Sequence, residues 1–231
     1  MNLASIGMAT SKGISVPDNF GDAFEGGYYA GQVEKSDGIY AVIIAPKASG
    51  QSSSSLAYNN DNTGAFGDSL VEGVSNNATI GTQSKFPASY YCANLSIDGF
   101  DDWYLPARDE LEVCYRNLKP TTSSNHTGNR FTSSYTYTPY NDLPADTSGI
   151  NRYSILAGSA YTSSVPSQTT STNFITGGSE AFDLDTYYFV STRFSSAAVW
   201  CIGFIDGVTD AVAIASTRKV RAIRSVKIAE L

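Results

Sequence analysis

Apolar positions along the chain come in short runs with two different spacings, separated by polar stretches rich in glycine and serine. Residues 28–33 and 38–45 read as two strands joined by a polar turn. The second carries the β-branched Ile39, Val42, Ile43 and Ile44 and stops at Pro46. Residues 50–62, rich in Ser and Asn, read as a loop. The spacing then changes to that of a helix. Ser84 can cap, Pro87 suits a first turn, and Ala88, Tyr91, Cys92 and Leu95 share one face. A second helix is expected over 108–118, with a stripe of Leu111, Cys114, Tyr115 and Leu118. Asp109 and Glu110 lie in its first turn, and Lys119-Pro120 is its stop. Strands return at 187–192, 197–204, 209–215 and 219–226, with Asp206-Gly207 as a hairpin turn. Tyr28, Tyr40, Tyr91, Tyr115 and Tyr188 fall within these elements and are expected in the core. The pattern is that of an α+β domain with two helices, a twisted, mostly antiparallel sheet and long polar loops.

Two segments fit no element. Residues 1–24 show no sustained period and read as an extended N-terminal arm that packs on something else, the domain proper being 25–231. Residues 121–179 form a polar Tyr/Ser/Thr-rich insertion that supplies few core residues, yet it is more aromatic than a typical disordered linker. An ordered loop of this length is usually functional. Its Tyr135, Tyr137, Tyr140, Tyr153 and Tyr161 offer flat apolar faces with polar tips, set among short adaptable side chains. That mixture suits recognition of a glycan or a protein, with Arg193 and Asp206 adding polar contacts from adjoining strand ends. The bland alternative is that the tract covers a sheet edge or meets a neighbouring subunit.

Charge and composition narrow the classes. The 231 residues carry 15 Lys and Arg against 22 Asp and Glu, a net charge of −7, which argues against a duplex nucleic-acid binder. No apolar run approaches the roughly 20 residues that span a bilayer, so no membrane insertion is expected. Residues 1–12 lack the basic-then-apolar order of a secretory signal. Cys92, Cys114 and Cys201 form no close pair and read as reduced thiols, the first two buried on apolar helix faces. The single histidine, His126, stands in a small polar loop with no nucleophile elbow in the chain. Asp98, Asp101 and Asp102 cluster before Trp103, but neighbours in a turn rarely oppose each other as a glycosidase pair. Residues 59–62 lack the alternating carboxylates of a calcium loop. No catalytic residue, metal or cofactor is therefore expected.

Two stretches carry a family likeness. Gly99-Phe100-Asp101-Asp102-Trp103-Tyr104-Leu105-Pro106 runs into Arg108-Asp109-Glu110-Leu111. Later come Val190-Ser191-Thr192-Arg193, Ala198-Val199-Trp200, Phe204, Gly207 and Val220-Arg221-Ala222-Ile223-Arg224. This order resembles the DUF1566 (Lcl C-terminal) domain family, related to the C-type-lectin-like fold of sulfatase-modifying-factor domains and phage tropism determinants. The likeness spans about 27–226, broken by the 121–179 tract. It implies a C-type-lectin-like domain in which Asp101, Asp102, Trp103, Leu105, Pro106, Glu110, Leu111, Trp200, Arg221 and Arg224 do structural work. Trp103 and Trp200 would be core anchors, and Asp102 would accept backbone N–H groups at the turn into Leu105-Pro106. Arg221 and Arg224, at odd spacing on one strand, would point to opposite faces, so that at most one reaches a buried carboxylate. The chain departs from the family at Tyr188-Phe189-Val190-Ser191-Thr192-Arg193, and at Cys201-Ile202-Gly203 where a polar aromatic run is usual.

The resemblance implies binding rather than catalysis. The expectation is a structural protein of a tailed-phage virion, a tail fibre, appendage or head-surface component that contacts the host surface. It would be made in the host cytoplasm, attached to other virion proteins through the arm, and homo-oligomeric, a trimer if it is a fibre tip. The competing expectations are a purely structural decoration or collar subunit and a bacterial glycan-binding module.

Overall fold

A computed structural model describes residues 14–60, 66–81, 83–127, 151–155 and 160–229. The first sheet has the order β1-β2-β3-β9, from β1 (Ala23–Phe24), β2 (Gly27–Lys35), β3 (Gly38–Ile44) and β9 (Ile223–Ala229), all antiparallel. The second has the order β5-β6-β7, from β5 (Tyr187–Ser195), β6 (Ala198–Gly203) and β7 (Thr209–Ala213), also antiparallel. A two-stranded ribbon joins β4 (Leu56–Ala57) to β8 (Thr217–Arg218). The helices are the single turn α1 (Lys47–Gly50), α2 (Gly73–Ile80), α3 (Pro87–Ala93) and α4 (Arg108–Leu118). The class is α+β with mostly antiparallel sheets.

Both faces of the central strands are buried, which explains why their sequences read as unbroken apolar runs. Side chains alternate between two cores. Val42 and Ile44 of β3, Tyr188 and Val190 of β5, and Trp200 and Ile202 of β6 pack with Leu111, Cys114, Tyr115 and Leu118 of α4. Ile43, Phe189, Val199 and Cys201 face the other way, onto Trp103, Leu105, Tyr58 and Cys92. α4 crosses β2 closely at Gly31, where a Cβ would strike Val113 and Asn117. The three cysteines are buried and unbridged.

Several expectations shift. The arm is not separate up to residue 24: β1 pairs with β2, and Phe20 stacks on Tyr29 at 5.6 Å. The loop at 50–62 contains β4, and α2 was not anticipated at all. α3 begins after Phe86 rather than at Ser84, and the last strand starts at Ile223, not 219. Helix α4 has the expected bounds.

The motif residues form the struts of this frame. Glu25-Gly26 and Asp98-Gly99 are both two-residue turns with positive φ at each position, the type I′ geometry of a tight hairpin. Arg224 clips these turns together. It lies 3.8 Å from the Phe100 ring centroid, donates to Glu25 O, and pairs with both oxygens of Asp102 at 2.7 and 3.0 Å. Asp102 thus takes a guanidinium rather than the expected backbone N–H groups. Asp101 is exposed beside it. Arg221, fully buried, reaches Glu180 at 2.7 Å and the Glu180 and Ala45 carbonyls, so one of the two arginines meets a buried carboxylate. Trp103 is buried and donates to Phe100 O, Trp200 packs edge-on against Phe194, and Leu105, Pro106 and Leu111 are buried. Pro106 O accepts the Ser191 N–H at 2.7 Å.

Candidate functional site

Charged side chains gather along α4, and the structure turns most of them inward. Glu110 is wholly buried. It accepts from Lys35 Nζ at 2.7 Å, from the Tyr104 hydroxyl at 2.7 Å and from the Ala107 N–H at 2.8 Å, which ties the helix start to β2. Two residues on, Glu112 receives Tyr161 Oη at 2.6 Å, Arg116 and the Asn151 amide. Tyr161 is therefore not a recognition ring. It is a core side chain, 5.5 Å from Tyr115, and burial together with Glu112 holds its hydroxyl well above the usual range. The thiols are equally enclosed, with burial pushing Cys201 up to about 12.

Past the C-terminus of α4 three segments meet: residues 119–127, 161–168 and 204–208. Their backbones are fixed by one buried polar node. Lys119 Nζ donates to Asn125 Oδ1 at 2.7 Å, to Ser123 O at 2.6 Å and to Pro166 O at 3.3 Å. Tyr115 Oη donates to the same Asn125 Oδ1 at 2.6 Å, and Asn125 Nδ2 donates to Thr162 O and Pro166 O. Burial lowers the Lys119 pKa, and the Asp206 carboxylate opposes that shift. The third segment joins through His126 N–H to Asp206 O at 2.8 Å and Thr121 Oγ1 to Ile205 O at 2.9 Å. Gly207, at φ +75°, gives the β6–β7 turn its shape and lies against the Tyr115 ring, where a Cβ would collide.

This node floors a cleft of about 400 Å³ between Thr122–Ser124 on one wall and Ser163, Ser164, Ser167 and Gln168 on the other. The hydroxyls of Thr122, Ser123, Ser124, Ser163 and Ser167 hold no hydrogen bond among the described residues. Neighbouring hydroxyls differ: Thr121, Thr162, Thr169 and Thr176 each engage backbone groups. Val165, 55% exposed, and Ile205, 45% exposed, stand on the same end of the domain. A second cleft, about 430 Å³, lies under the Glu25-Gly26 turn. Glu25, which helps line it, already meets Arg224.

The expected site residues that lie among the described ones, Tyr153, Tyr161, Arg193 and Asp206, are not assembled into one place. Tyr135, Tyr137 and Tyr140 lie outside the described residues. Tyr153 is partly exposed beside β2, its carbonyl accepting Glu34 N–H at 2.7 Å. Arg193 pairs with Asp68 and lies over Phe66, at the end of β5 opposite to Asp206. Spanning β6 between them puts the two on the order of 20 Å apart. Only Asp206 belongs to the three-segment end, where it turns its carboxylate toward Val208 N–H at 3.3 Å. Lys119 and Asn125 carry no local signal of this role, since Lys119-Pro120 reads as a helix stop and Asn125 as one more polar residue of the tract. The tract carries three Ser-Ser dipeptides, 123–124, 133–134 and 163–164, and nothing local marks the first and third as facing one another.

Among the described residues no helix is long and apolar enough to cross a membrane, and no group of His, Cys, Asp and Glu has metal-ligand clustering. No family model and no curated protein matches the chain.

Proposed function

We propose that the chain is a non-catalytic recognition protein with a C-type-lectin-like, DUF1566-related domain. In this reading it is a surface component of a tailed-phage virion, and it contacts the host through the end built from residues 119–127, 161–168 and 204–208. The observation that carries this reading is the cleft of unengaged hydroxyls on a backbone held by the Lys119–Asn125–Tyr115 node. A pre-organised polar cleft loses little freedom on binding, which is how small contact areas reach useful affinity. The inward commitment of Glu110 and Glu112, and the raised thiols, fit a binding role better than a catalytic one. The net charge of −7 fits a protein or glycan partner rather than nucleic acid. The N-terminal segment ahead of β1 would join the chain to other virion proteins, and a trimer is the favoured assembly.

A second reading is a decoration or collar subunit, favoured by exposed Val165 and Ile205 on the same end, which suit a contact between subunits. A microarray of bacterial surface polysaccharides, probed with the whole chain, separates the two. Saturable binding that is lost when Ser167→Trp fills the cleft supports recognition. A silent array, with self-association through the same end, supports the structural subunit.

A further inference from the structure

Resting on that reading, we infer that the cleft takes an uncharged pyranose residue of a surface polysaccharide, and not an acidic sugar or a phosphate group. Its walls offer hydroxyls, which both donate and accept, the same two-way chemistry as the hydroxyls of a neutral sugar. An anion needs something else: charge-assisted N–H donors directed at its oxygens. Among the described residues the single cation in the lining is Lys119, and it has none to offer. An ammonium carries three N–H groups. Those of Lys119 are directed at Ser123 O, Asn125 Oδ1 and Pro166 O, and the residue is 2% exposed. The Asp206 carboxylate acts on the same ammonium, which further disfavours a second negative charge nearby.

Among the described residues a cationic ligand lacks a partner as well, since none of the lining side chains is a carboxylate. Gln168 donates its amide to Pro120 O at 2.7 Å and leaves its carbonyl oxygen as an uncharged acceptor. The volume lies within the roughly 300–1,000 Å³ range of small-ligand sites. Both walls are held by the same node. The Asn125 N–H donates to Ser163 O at 3.0 Å, and Lys119 holds Ser123 O. The hydroxyls therefore keep their spacing without ligand. Among the described residues no aromatic ring lines the cleft, so the hydroxyls and the Gln168 carbonyl carry the contact there.

Ligand-observed saturation-transfer NMR on the whole chain tests this, using methyl glucoside, methyl mannoside and methyl galactoside against glucuronate, N-acetylneuraminate and glucose 6-phosphate. At least one neutral glycoside is expected to bind, and the acidic sugars are not. The Ser124→Ala/Ser163→Ala/Ser167→Ala variant should bind about ten-fold more weakly, with its unfolding midpoint unchanged because all three side chains are exposed. Ser167→Trp should abolish binding by filling the cleft. Preferential binding of an acidic sugar, lost in both variants, overturns the ligand class while leaving the recognition reading intact. Neutral binding that survives both variants overturns the site. Absence of binding by every sugar overturns the inference, and the polysaccharide array then decides the recognition reading alone.

Discussion

Glu110 and Lys35 form an ion pair with side-chain exposures of 0% and 3%, so neither can turn to water if its partner is removed. Breaking such a pair strands a buried charge, which typically costs about 3–5 kcal/mol. Glu110→Ala should therefore lower stability by about that amount in urea unfolding, whereas Arg193→Ala, at the partly exposed pair with Asp68, should cost under about 1 kcal/mol. Asp109 offers a test by pH. Burial pushes its carboxyl up to about 6, against the opposing pull of Arg108. A carboxyl raised in the folded state costs nothing below its unfolded pKa near 4, and its burden grows as pH rises from there to about 6 and is constant above. The stability of Asp109→Asn minus that of the wild type should thus increase between pH 4 and pH 7. The rise should be about 3 kcal/mol at most, read by denaturant melts at each pH. A flat difference would contradict the assigned burial of this carboxylate.

Among the elements, the β6–β7 turn carries the most consequence for the proposed site. Gly207 has positive φ and lies against Tyr115, whose hydroxyl holds Asn125. Gly207→Ala should destabilise the domain by about 1–3 kcal/mol through strain and overpacking. It should also weaken any ligand of the cleft, because the node moves with the ring. Glycoside titration of the folded fraction checks this. The turn itself was legible from Asp206-Gly207, and α4 from its stripe, capping acid and Lys-Pro stop, because in both the signal is local. The strands between them were legible for the same reason. α2 was not, since Val74-Ser75-Asn76-Asn77 has no apolar stripe. That helix is held by tertiary hydrogen bonds, Asn77 bridging Gly73 O, Leu105 and Ser89, and Asn76 reaching Ser191. Tyr161 misled in the opposite direction. A tyrosine among serines reads as exposed, and only Glu112, 49 residues away in sequence, draws it into the core. The candidate site shares that difficulty: Lys119, Asn125, Ser123-Ser124 and Ser163-Ser164 acquire meaning only when the three segments meet.

At the scale of the molecule, two cores back to back bury both faces of the central strands, so that under the proposed function recognition falls to the loops at one end. The start of the chain tests how the parts divide. The melting temperature of chains truncated from the N-terminus reads this. Removal through residue 24 deletes the Phe20–Tyr29 stack and β1 and should lower it measurably. If the arm docks the chain, this truncation should also abolish incorporation into particles.

The central claim is that the hydroxyl-lined end faces outward from a virion. The most direct measurement is electron microscopy of particles carrying a Ser163→Cys chain labelled with maleimide-gold, a selective reaction because the three native thiols are buried. The account predicts gold on an outward surface of the particle, with labelling as complete in assembled particles as in the free chain. Gold absent from particles, or a thiol at 163 that reacts in the free chain and is shielded after assembly, would contradict it.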